Sequence, residues 1–252
     1  MTALFRILSF VKHFFISGNE HRLHSPFLFS LYINSIRKPN VVNNIKAEKF
    51  RSFLIKNNNS IEELDFGTGN KKQQKIAKIA QSSLKSRKEY LFLANLCHYL
   101  KPERTLELGT CFGLSTSYLK EGATKTQLTT LEGNPNRLAM ARTLLSEYDN
   151  INIIEGNIDL TLEETLKKQY DLIYIDANHT EEATIRYYEL IKNSNKGNLC
   201  IVFDDIYYSQ GMNRAWKYIK KDQNEAVSLD FYHFGLVFFR KEMLKQHFNL
   251  KL

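Results

Sequence analysis

Apolar residues recur every three or four positions over residues 3–16, which is the spacing of one face of an α-helix. Packing of this face on the main domain or on a second subunit is favoured over a membrane surface, because the polar face carries few basic residues. Arg6, Lys12 and His13 interrupt the segment and no small-residue cleavage site follows, so it is interpreted neither as a membrane span nor as a signal peptide. The residues of the apolar face are Leu4, Leu8, Val11, Phe14 and Phe15.

Two further helical segments are predicted before residue 105. Ser25 suits a helix cap and Pro26 suits the first helical position, and the helix that follows is expected to end before Pro39. Basic and apolar residues alternate with a helical period over residues 71–99, and Pro102 is expected to stop that helix.

From residue 105 onward, short apolar runs alternate with helical stretches. Five runs are continuous, which is typical of buried parallel strands, and the last two are close enough to form an antiparallel hairpin. The expected fold is therefore α/β: a doubly wound, Rossmann-like, seven-stranded mixed sheet with a C-terminal antiparallel hairpin and an N-terminal helical cap. The predicted strands are 105–108, 127–132, 151–155, 172–176, 199–203, 227–232 and 236–240.

The composition narrows the class of protein. The chain of 252 residues is 43% hydrophobic with 11 glycines and 4 prolines, which excludes disordered and collagen-like chains. Its 3 cysteines show no CxxC spacing, which argues against a disulfide framework and against a zinc site made of cysteines. A reduced, cytoplasmic protein is expected.

The net charge of +8 is unevenly distributed. Residues 1–104 contain 18 Lys and Arg against 7 Asp and Glu, whereas residues 105–252 contain 17 against 20. A surface for nucleic acid or for an acidic substrate is one interpretation of the basic part. A solvated face on lysine-rich helices is favoured, because the lysines are scattered and not gathered in one run.

Two glycine turns are similar, DFGTG at residues 65–69 and ELGTCFG at residues 107–113. A nucleotide-binding turn requires a buried strand before it, a helix after it and an acid at the tip of the next strand. Only the second turn meets all three conditions, with Glu132 as the acid 25 residues after Glu107. The first turn follows a poor strand at residues 61–64 and is interpreted as a loop or a lid.

The second turn also indicates what kind of cofactor to expect. It lacks the GxGxxG spacing of dinucleotide-binding turns and the GKS or GKT sequence of phosphate-binding loops. A nicotinamide or ATP cofactor is therefore disfavoured. A nucleoside cofactor without a pyrophosphate is expected.

Acidic residues stand at the ends of two predicted strands. Asp176 ends the fourth strand, with His179 three residues later, and Asp204 and Asp205 end the fifth. In a doubly wound sheet these ends lie together, where three carboxylates would repel one another unless a cation or raised pKa values relieved them. Oxygen ligands of this kind suit Mg²⁺, Ca²⁺ or Mn²⁺. Substrate binding or capping of the next loop is the alternative role for the acidic pair.

Three segments resemble the class I S-adenosylmethionine-dependent methyltransferases: ELGTCFGLS at 107–115, LEGNP at 131–135 and AMA at 139–141. The ExGxxxGxS form is closest to the small-molecule O-methyltransferases of the catechol and caffeoyl-CoA type. The resemblance covers about residues 90–240. A further segment, HRLHSPF at 21–27, is similar to the helical leader of a group of bacterial methyltransferases.

The resemblance implies a binding site for S-adenosylmethionine. The glycine turn would pass beside the methionine part, with Glu107 near its amino group and Ser115 near its carboxylate. Glu132 would accept hydrogen bonds from both ribose hydroxyls, and Asn157 stands where the family contacts adenine, often through an Asp. A tight turn and an exposed carboxylate are the structural alternatives. The implied cofactor-binding residues are Glu107, Gly109, Thr110, Gly113, Ser115, Glu132, Gly133, Asn157 and Asp176.

The resemblance also implies a metal site. In catechol-type enzymes an Asp after the fourth strand and an acidic pair after the fifth hold a metal that binds two substrate oxygens. Asp176, Asp204 and Asp205 occupy those positions, which implies Mg²⁺ or another divalent cation. The family's catalytic lysine is replaced by His179, whose neutral imidazole can accept a proton near pH 7. A surface or helix-start histidine is the alternative.

The function expected is transfer of a methyl group to a hydroxyl oxygen of a small molecule, with Asp176 and His179 as catalytic residues. An RNA or protein methyltransferase that uses the basic N-terminal part is one alternative, although the sequence DANH at 176–179 differs from the elements typical of base methylation. An S-adenosylmethionine-binding protein without catalysis is the other. Nucleic acid is disfavoured as a partner.

Residues 1–85 are interpreted as a helical leader or cap and residues 86–252 as the methyltransferase core. The apolar first helix is a candidate homodimer contact. His21 and His24 are candidates to face the active site, with a helix-entry role as the alternative. Aromatic residues after the acidic pair could stack on a flat substrate, but Trp216, at helical spacing from Met212 and Ile219, is interpreted as core.

Overall fold

The computed structural model describes residues 2–37, 44–64, 71–195, 197–222, 226–240 and 243–252. The chain divides into two compact units. The terminal unit contains Met1–Ile33 and Glu163–Leu252, and the central unit contains Asn34–Leu162. The loop or lid predicted at residues 65–69 lies outside the described residues.

Helices and strands alternate along most of the chain. A short 3₁₀ helix, Glu20–Arg22, precedes the second α-helix, and a π-helical turn, Ile33–Arg37, follows it. The helices are α1 (Thr2–Ile16), α2 (Pro26–Tyr32), α3 (Ile45–Lys56), α4 (Ile76–Ser83), α5 (Arg87–Leu100), α6 (Leu114–Gly122), α7 (Pro135–Leu145), α8 (Ile158–Thr165), α9 (Glu181–Ser194) and α10 (Gln210–Lys221). The strands are β1 (Ser60–Leu64), β2 (Lys71–Lys75), β3 (Arg104–Leu108), β4 (Gln127–Glu132), β5 (Ile151–Glu155), β6 (Leu172–Ile175), β7 (Leu199–Asp204), β8 (Ala226–Asp230), β9 (Phe234–Phe239) and β10 (Gln246–Asn249).

The central unit contains three parallel strands in the order β3-β4-β5. Leu106 lies opposite Thr129, and Thr130 lies opposite Ile153. In β3 and β4 every side chain after the first is buried, as expected of strands that are covered on both faces. The prediction that these three runs form parallel strands is confirmed.

An antiparallel hairpin of β1 and β2 also belongs to the central unit, with Ser60 opposite Lys75 and Leu64 opposite Lys71. The sequence predicts neither strand, since residues 61–64 have a poor strand pattern and residues 71–75 fall in a predicted helix. Both predictions are wrong. The side chains of β2 are mostly exposed. The hairpin is therefore held by hydrogen bonds between the two backbones, which leave no pattern of apolar residues in the sequence.

The predicted helix over residues 71–99 is divided into α4 and α5. Ser86 starts α5 with a capping box: its Oγ accepts from the N–H of Glu89 at 3.3 Å, and Glu89 Oε2 accepts from the N–H of Ser86 at 2.8 Å. The helix ends at Lys101, which has a left-handed φ of 48°. The predicted stop before Pro102 is therefore confirmed.

Five strands of the terminal unit lie in the order β10-β8-β9-β7-β6. Strands β6 and β7 are parallel, whereas β9 is antiparallel to both β7 and β8. The predicted hairpin and the mixed character of the strands are confirmed. Strand β10 was not predicted and runs parallel to β8, with His247 opposite Ser228. It adds an eighth strand to the seven that were predicted.

Helix α1 packs on the rest of the terminal unit with its polar side. His13 is buried and lies 3.0 Å from Asp230 Oδ1, and the next buried residue, Ser17, donates to the His13 carbonyl at 2.6 Å. The helix lies where it was predicted, but most of its predicted apolar face is exposed, because the buried carboxylate attracts the opposite face. The exposed apolar side chains are Leu4, Ile7, Leu8, Phe10, Val11, Phe14, Phe15 and Ile16.

Helix α2 begins as predicted. Ser25 Oγ accepts from the N–H of Leu28 at 3.5 Å, and Pro26 is the first helical residue. The helical stretch reaches Arg37, and residues 38–43, where it was expected to end, are outside the described part. None of the helices in the described ranges is both long and apolar enough to cross a membrane.

Candidate active site

The glycine turn between β3 and α6 has a backbone conformation that favours glycine. Gly109 and Gly113 have φ values of 101° and 81°, and Cys111 between them has a φ of 48°. The N–H groups of Gly109 and Thr110 donate to the carbonyl of Leu131 at 2.9 and 3.1 Å. The turn is thereby fixed to the end of β4, between a buried strand and a helix as the sequence predicted.

Glu132 ends β4, and its carboxylate lies against the glycine turn. Oε2 accepts from the N–H of Cys111 at 2.7 Å, and Oε1 accepts from the N–H of Asn134 at 2.8 Å. Glu132 is 7% exposed, and burial raises its pKa although the two N–H groups and Arg137 oppose the rise. Each oxygen has a second lone pair. The carboxylate can therefore accept two hydrogen bonds from hydroxyl groups of a ligand.

Glu107 lies beneath the same turn and is fully buried. Its Oε2 accepts from Thr116 Oγ1 at 2.5 Å and from Thr130 Oγ1 at 2.6 Å. Thr110 Oγ1 lies 2.5 Å from Thr130 Oγ1, so hydroxyl groups connect this carboxylate to the turn. Ser115 is buried in the first turn of α6. The structure thus brings the predicted residues of this turn together and adds two threonines.

A second turn, after β5, lies next to the end of β4. Gly156 has a φ of 149° and donates its N–H to the carbonyl of Glu132 at 3.0 Å. Asn157 starts α8, and its Oδ1 accepts from the N–H of Asp159 at 3.0 Å. This capping bond uses the side-chain oxygen, so Nδ2 is the group of Asn157 that can recognise a ligand. Gly133, which is half-buried, follows Glu132 directly.

An ion pair that the sequence does not predict lies beside Glu132. Arg137 Nε donates to Glu63 Oε1 at 3.0 Å, and a second hydrogen bond joins Nη2 to Oε2. Asn134 and Asn136 donate to the carbonyl of Glu62 at 3.2 and 2.9 Å. The pair is 74 residues apart in the chain, so no local pattern could identify it. These bonds attach the β1–β2 hairpin to the segment that follows Glu132.

In the terminal unit, β6 and β7 end in acidic side chains that surround one imidazole. His179 Nε2 lies 3.4 Å from Asp176 Oδ1, 3.8 Å from Asp204 Oδ2 and 3.9 Å from Asp205 Oδ2. These four residues are called the acidic group below. Ligand atoms of Asp176, His179 and Asp204 lie within 4.8 Å of one another, and within the described ranges no other set of three His, Cys, Asp or Glu side chains is as close.

Both loops of the acidic group contain a residue with left-handed backbone. Asn178 has a φ of 55° and Asp205 a φ of 51°, a conformation that Asn and Asp tolerate better than most residues. Asn178 Nδ2 donates to the hydroxyl of Tyr187 at 3.2 Å, and the N–H of Asp205 donates to the carbonyl of His233 at 2.8 Å. These turns place His179 among the three carboxylates.

The electrostatics of the acidic group are dominated by its carboxylates. Burial alone would lower the pKa of His179, but Asp176 and Asp204 outweigh that effect and raise the pKa to about 10. The Nε2 atom of His179 is buried and makes no hydrogen bond within the described part of the chain. A buried nitrogen that lies 3.4–3.9 Å from three carboxylate oxygens suits a cation placed between them.

The aromatic side chains that follow the acidic pair lie in two different surroundings. The ring of Tyr208 lies 5.6 Å from the ring of His179 and is 44% exposed. Trp216 is buried with Met212 and Ile219 and donates from Nε1 to Asp230 Oδ2 at 2.8 Å. The prediction that Trp216 belongs to the core is confirmed.

His21 and His24 lie elsewhere in the terminal unit. They line a cavity of about 490 Å³ together with Arg22 and residues of β10, among them His247. No member of the acidic group lines this cavity. The structure therefore does not place these two histidines at the carboxylates.

Residues 106–206 match the protein family described as a methyltransferase domain. The matched segment begins in β3 and ends just after Asp205, so it contains the glycine turn, Glu132 and the acidic group. The resemblance to methyltransferases that the sequence predicted is therefore supported by the match of this part of the chain.

Curated relatives are O-methyltransferases. The chain is 34% identical over 107 residues to the O-methyltransferase ankF of Aspergillus thermomutatus, which covers 39% of this chain and 44% of that protein. It is 29% identical over 125 residues to the catechol O-methyltransferase of Mycobacterium tuberculosis, which covers 48% of this chain and 56% of that protein. The chain thus spans about half the length of the curated relatives it matches.

A solved structure shows the same fold. The SAH-bound methyltransferase PaMTH1 of Podospora anserina superposes with a TM-score of 0.58 over 80% of this chain and 98% of that chain, at 21% identity. At this identity the likeness concerns the fold alone. It confirms the predicted Rossmann-like α/β class.

Proposed function

We propose that this chain transfers a methyl group from S-adenosylmethionine to a hydroxyl oxygen of a small molecule. The observation that carries the proposal is the carboxylate of Glu132, held by two backbone N–H groups against the glycine turn. The match of residues 106–206 to a methyltransferase domain supports it, as do the curated relatives that are O-methyltransferases.

The central unit would bind the cofactor. Glu132 would accept hydrogen bonds from the two ribose hydroxyls through its remaining lone pairs, and the backbone of the glycine turn would pass beside the methionine part. Glu107 would attract the methionine amino group by its charge, since two threonine hydroxyls bind its Oε2. Ser115 would lie near the methionine carboxylate, and Asn157 Nδ2 would serve the adenine edge.

The acidic group of the terminal unit would bind the acceptor with a divalent cation. Asp176, Asp204 and Asp205 supply oxygen ligands, which Mg²⁺ and Mn²⁺ prefer. Oxygens of all three carboxylates lie 3.4–3.9 Å from the same buried nitrogen, Nε2 of His179, so their negative charges converge where a cation would neutralise them. When bound, the cation supplies a Lewis acid that favours the ionised form of the acceptor hydroxyl.

His179 would act as the base. Its Nε2 takes the hydroxyl proton while the acceptor oxygen attacks the methyl carbon; the O–C bond forms as the S–C bond of the sulfonium breaks, which leaves a methyl ether and S-adenosylhomocysteine. With the carboxylates alone, the pKa of about 10 keeps the imidazole protonated at pH 7. A positive charge among the same carboxylates opposes that rise. The base and the cation are therefore expected to depend on each other.

The first experiment measures methyl transfer to a panel of phenols and catechols with Mg²⁺, with EDTA, and with EDTA followed by excess Mg²⁺. We expect transfer with Mg²⁺, a fall of at least about tenfold with EDTA and recovery on readdition. Full activity in EDTA would contradict the metal. Binding of S-adenosylmethionine without transfer to any acceptor would favour a binding protein without catalysis.

A variant distinguishes a base from a metal ligand at position 179. As a base, His179→Ala is expected to lower kcat by about 100-fold while the affinity for Mn²⁺ is kept. A parallel loss of Mn²⁺ affinity, measured by titration calorimetry, would instead assign a ligand. His98→Ala, an exposed histidine on α5, is the matched control and should leave both quantities unchanged.

We also propose that two copies associate through the exposed apolar face of α1. The eight exposed apolar side chains of this helix are each at least 41% exposed and form one continuous surface, and each partner of a typical interface buries roughly 800 Å². Sedimentation velocity should show a dimer, and Leu8→Glu should convert it to a monomer. Leu160→Glu, at an exposed leucine on α8, should not. A wild-type chain that is monomeric at high concentration would contradict this.

A further inference from the structure

Helix α1 brings a guanidinium group to the edge of the acidic group. Arg6 Cζ lies 4.3 Å from the centre of the Tyr208 ring, and that ring lies 5.6 Å from the ring of His179. The three side chains form a row that starts at the carboxylates and ends at a positive charge. Arg6 and Tyr208 are both exposed, so a ligand can contact them.

Contacts on both sides of Arg6 fix its position. Its carbonyl accepts from the hydroxyl of Tyr232 at 2.8 Å, and the ring of Phe10 packs edge-on against the Tyr232 ring at 5.2 Å. Further along the helix, His13 binds Asp230. An amphipathic helix normally buries its apolar side, so these polar contacts are what hold α1 in the opposite orientation. One result of that orientation is the placement of Arg6 beside Tyr208.

The guanidinium group has its hydrogen-bonding capacity available. Within the described residues, the contacts of the Arg6 side chain are with the Tyr208 ring, and no carboxylate forms an ion pair with it. A guanidinium presents five N–H donors in a planar fork that matches a carboxylate. The carboxylates of the acidic group would repel an anionic compound. A positive charge such as that of Arg6 is therefore needed at the point where the anionic end of the compound binds.

We propose that Arg6 and Tyr208 select the acceptor, and that this acceptor is an aromatic hydroxyl compound that carries a carboxylate. The inference rests on the proposed function, because the hydroxyl end of the compound would lie at the acidic group. Its ring would contact the ring of Tyr208, and its carboxylate would pair with the guanidinium of Arg6. The N-terminal helix would then be part of the acceptor site.

The test compares two compounds that differ in one charge, 3,4-dihydroxybenzoate and its neutral methyl ester. Titration calorimetry of the full chain, with S-adenosylhomocysteine and Mg²⁺ present, gives the affinity for each without any need for turnover. We expect the wild-type chain to bind the carboxylate at least tenfold more tightly than the ester. Arg6→Gln should remove that preference, a loss of about 10- to 100-fold for the carboxylate alone.

Two further variants separate the effect of the guanidinium group from the effect of positive charge in general. Arg6→Lys should retain part of the preference, because it keeps the charge and loses the planar fork. Lys12→Gln removes one positive charge from an exposed position of the same helix and should retain the whole preference. The inference is overturned if Arg6→Gln weakens both compounds equally, if it weakens neither, or if the wild-type chain does not prefer the carboxylate.

Product formation separates this inference from the proposed function. Methylation of the ester by a chain in which Arg6 has no effect would overturn the inference and leave the function standing. Arg6-dependent binding of the carboxylate without methylation of any acceptor would support anion recognition and overturn the function.

Discussion

Two buried aspartates of the terminal unit each lie beside a histidine, yet their surroundings differ. Asp230, at the end of β8, lies 3.0 Å from His13 Nε2 and accepts from the hydroxyl of Tyr207 at 2.9 Å and from Trp216 Nε1 at 2.8 Å. Asp204, at the end of β7, lies 3.8 Å from His179, with two more carboxylates around the same imidazole. The Asp230 carboxylate accepts hydrogen bonds from the protein, whereas the three carboxylates around His179 form a concentration of negative charge that can bind a cation.

An Asp–His pair does not by itself indicate a catalytic or metal-binding role. Burial would raise the pKa of Asp230, but hydrogen bonding and charge from His13 and a hydrogen bond from Trp216 lower it below its usual range. The charge of Asp230 is therefore satisfied within the protein and serves to hold α1. Around His179 three negative charges face one imidazole, so this group can serve an external cation or a substrate.

The largest effect should come from Asp204→Asn. Loss of one carboxylate from the acidic group is expected to reduce the rate of methyl transfer by about 1000-fold, because charge stabilisation by positioned groups contributes effects of that size. The rate at saturating cofactor measures it. The control is Asp171→Asn, at an exposed residue directly before the first residue of β6 and therefore at the end of the strand away from the acidic group. Loss of folding in place of activity would make Asp204 a structural residue like Asp230.

Asp230→Asn should affect stability more than chemistry. Removing one partner of a buried pair is expected to lower the free energy of unfolding by about 3 kcal/mol at pH 7. Because the folded pKa of Asp230 is lowered, its contribution is present above the unfolded carboxyl pKa and is lost as the pH falls through the folded pKa. Urea unfolding of both proteins should therefore show a deficit that is full at pH 7 and shrinks below about pH 4.

The smallest effect concerns Glu132, a buried carboxylate that is satisfied by the protein and still has lone pairs to offer. Glu132→Gln should weaken S-adenosylhomocysteine binding by about 10- to 150-fold, since hydrogen bonds to a charged group contribute about 1.5–3 kcal/mol. Titration calorimetry measures the change. Glu155→Gln, at the exposed end of the neighbouring strand β5, should bind as the wild type does. Equal affinity in both variants would remove Glu132 from the cofactor site.

Much of the site could be predicted because its residues follow strands of clear pattern. The acid at Glu132 and the acids at Asp176 and Asp204 are each the last residue of a strand or the next one. The pairing of Arg137 with Glu63 could not be predicted, nor could the strand β10, since neither has a local apolar pattern. His179 was expected as a base from its position after Asp176, but its contact with all three carboxylates depends on the left-handed turns at Asn178 and Asp205.

The sequence by itself determined the buried parallel strands, the glycine turn and the C-terminal hairpin, because apolar runs, glycines and turn residues act on their own neighbours. Only the tertiary structure decided which side of α1 faces inward. The helix is apolar over most of its surface, yet the buried charge of Asp230, more than 200 residues away in the chain, binds His13 on its polar side. A long-range contact of this kind leaves no periodic trace in the sequence.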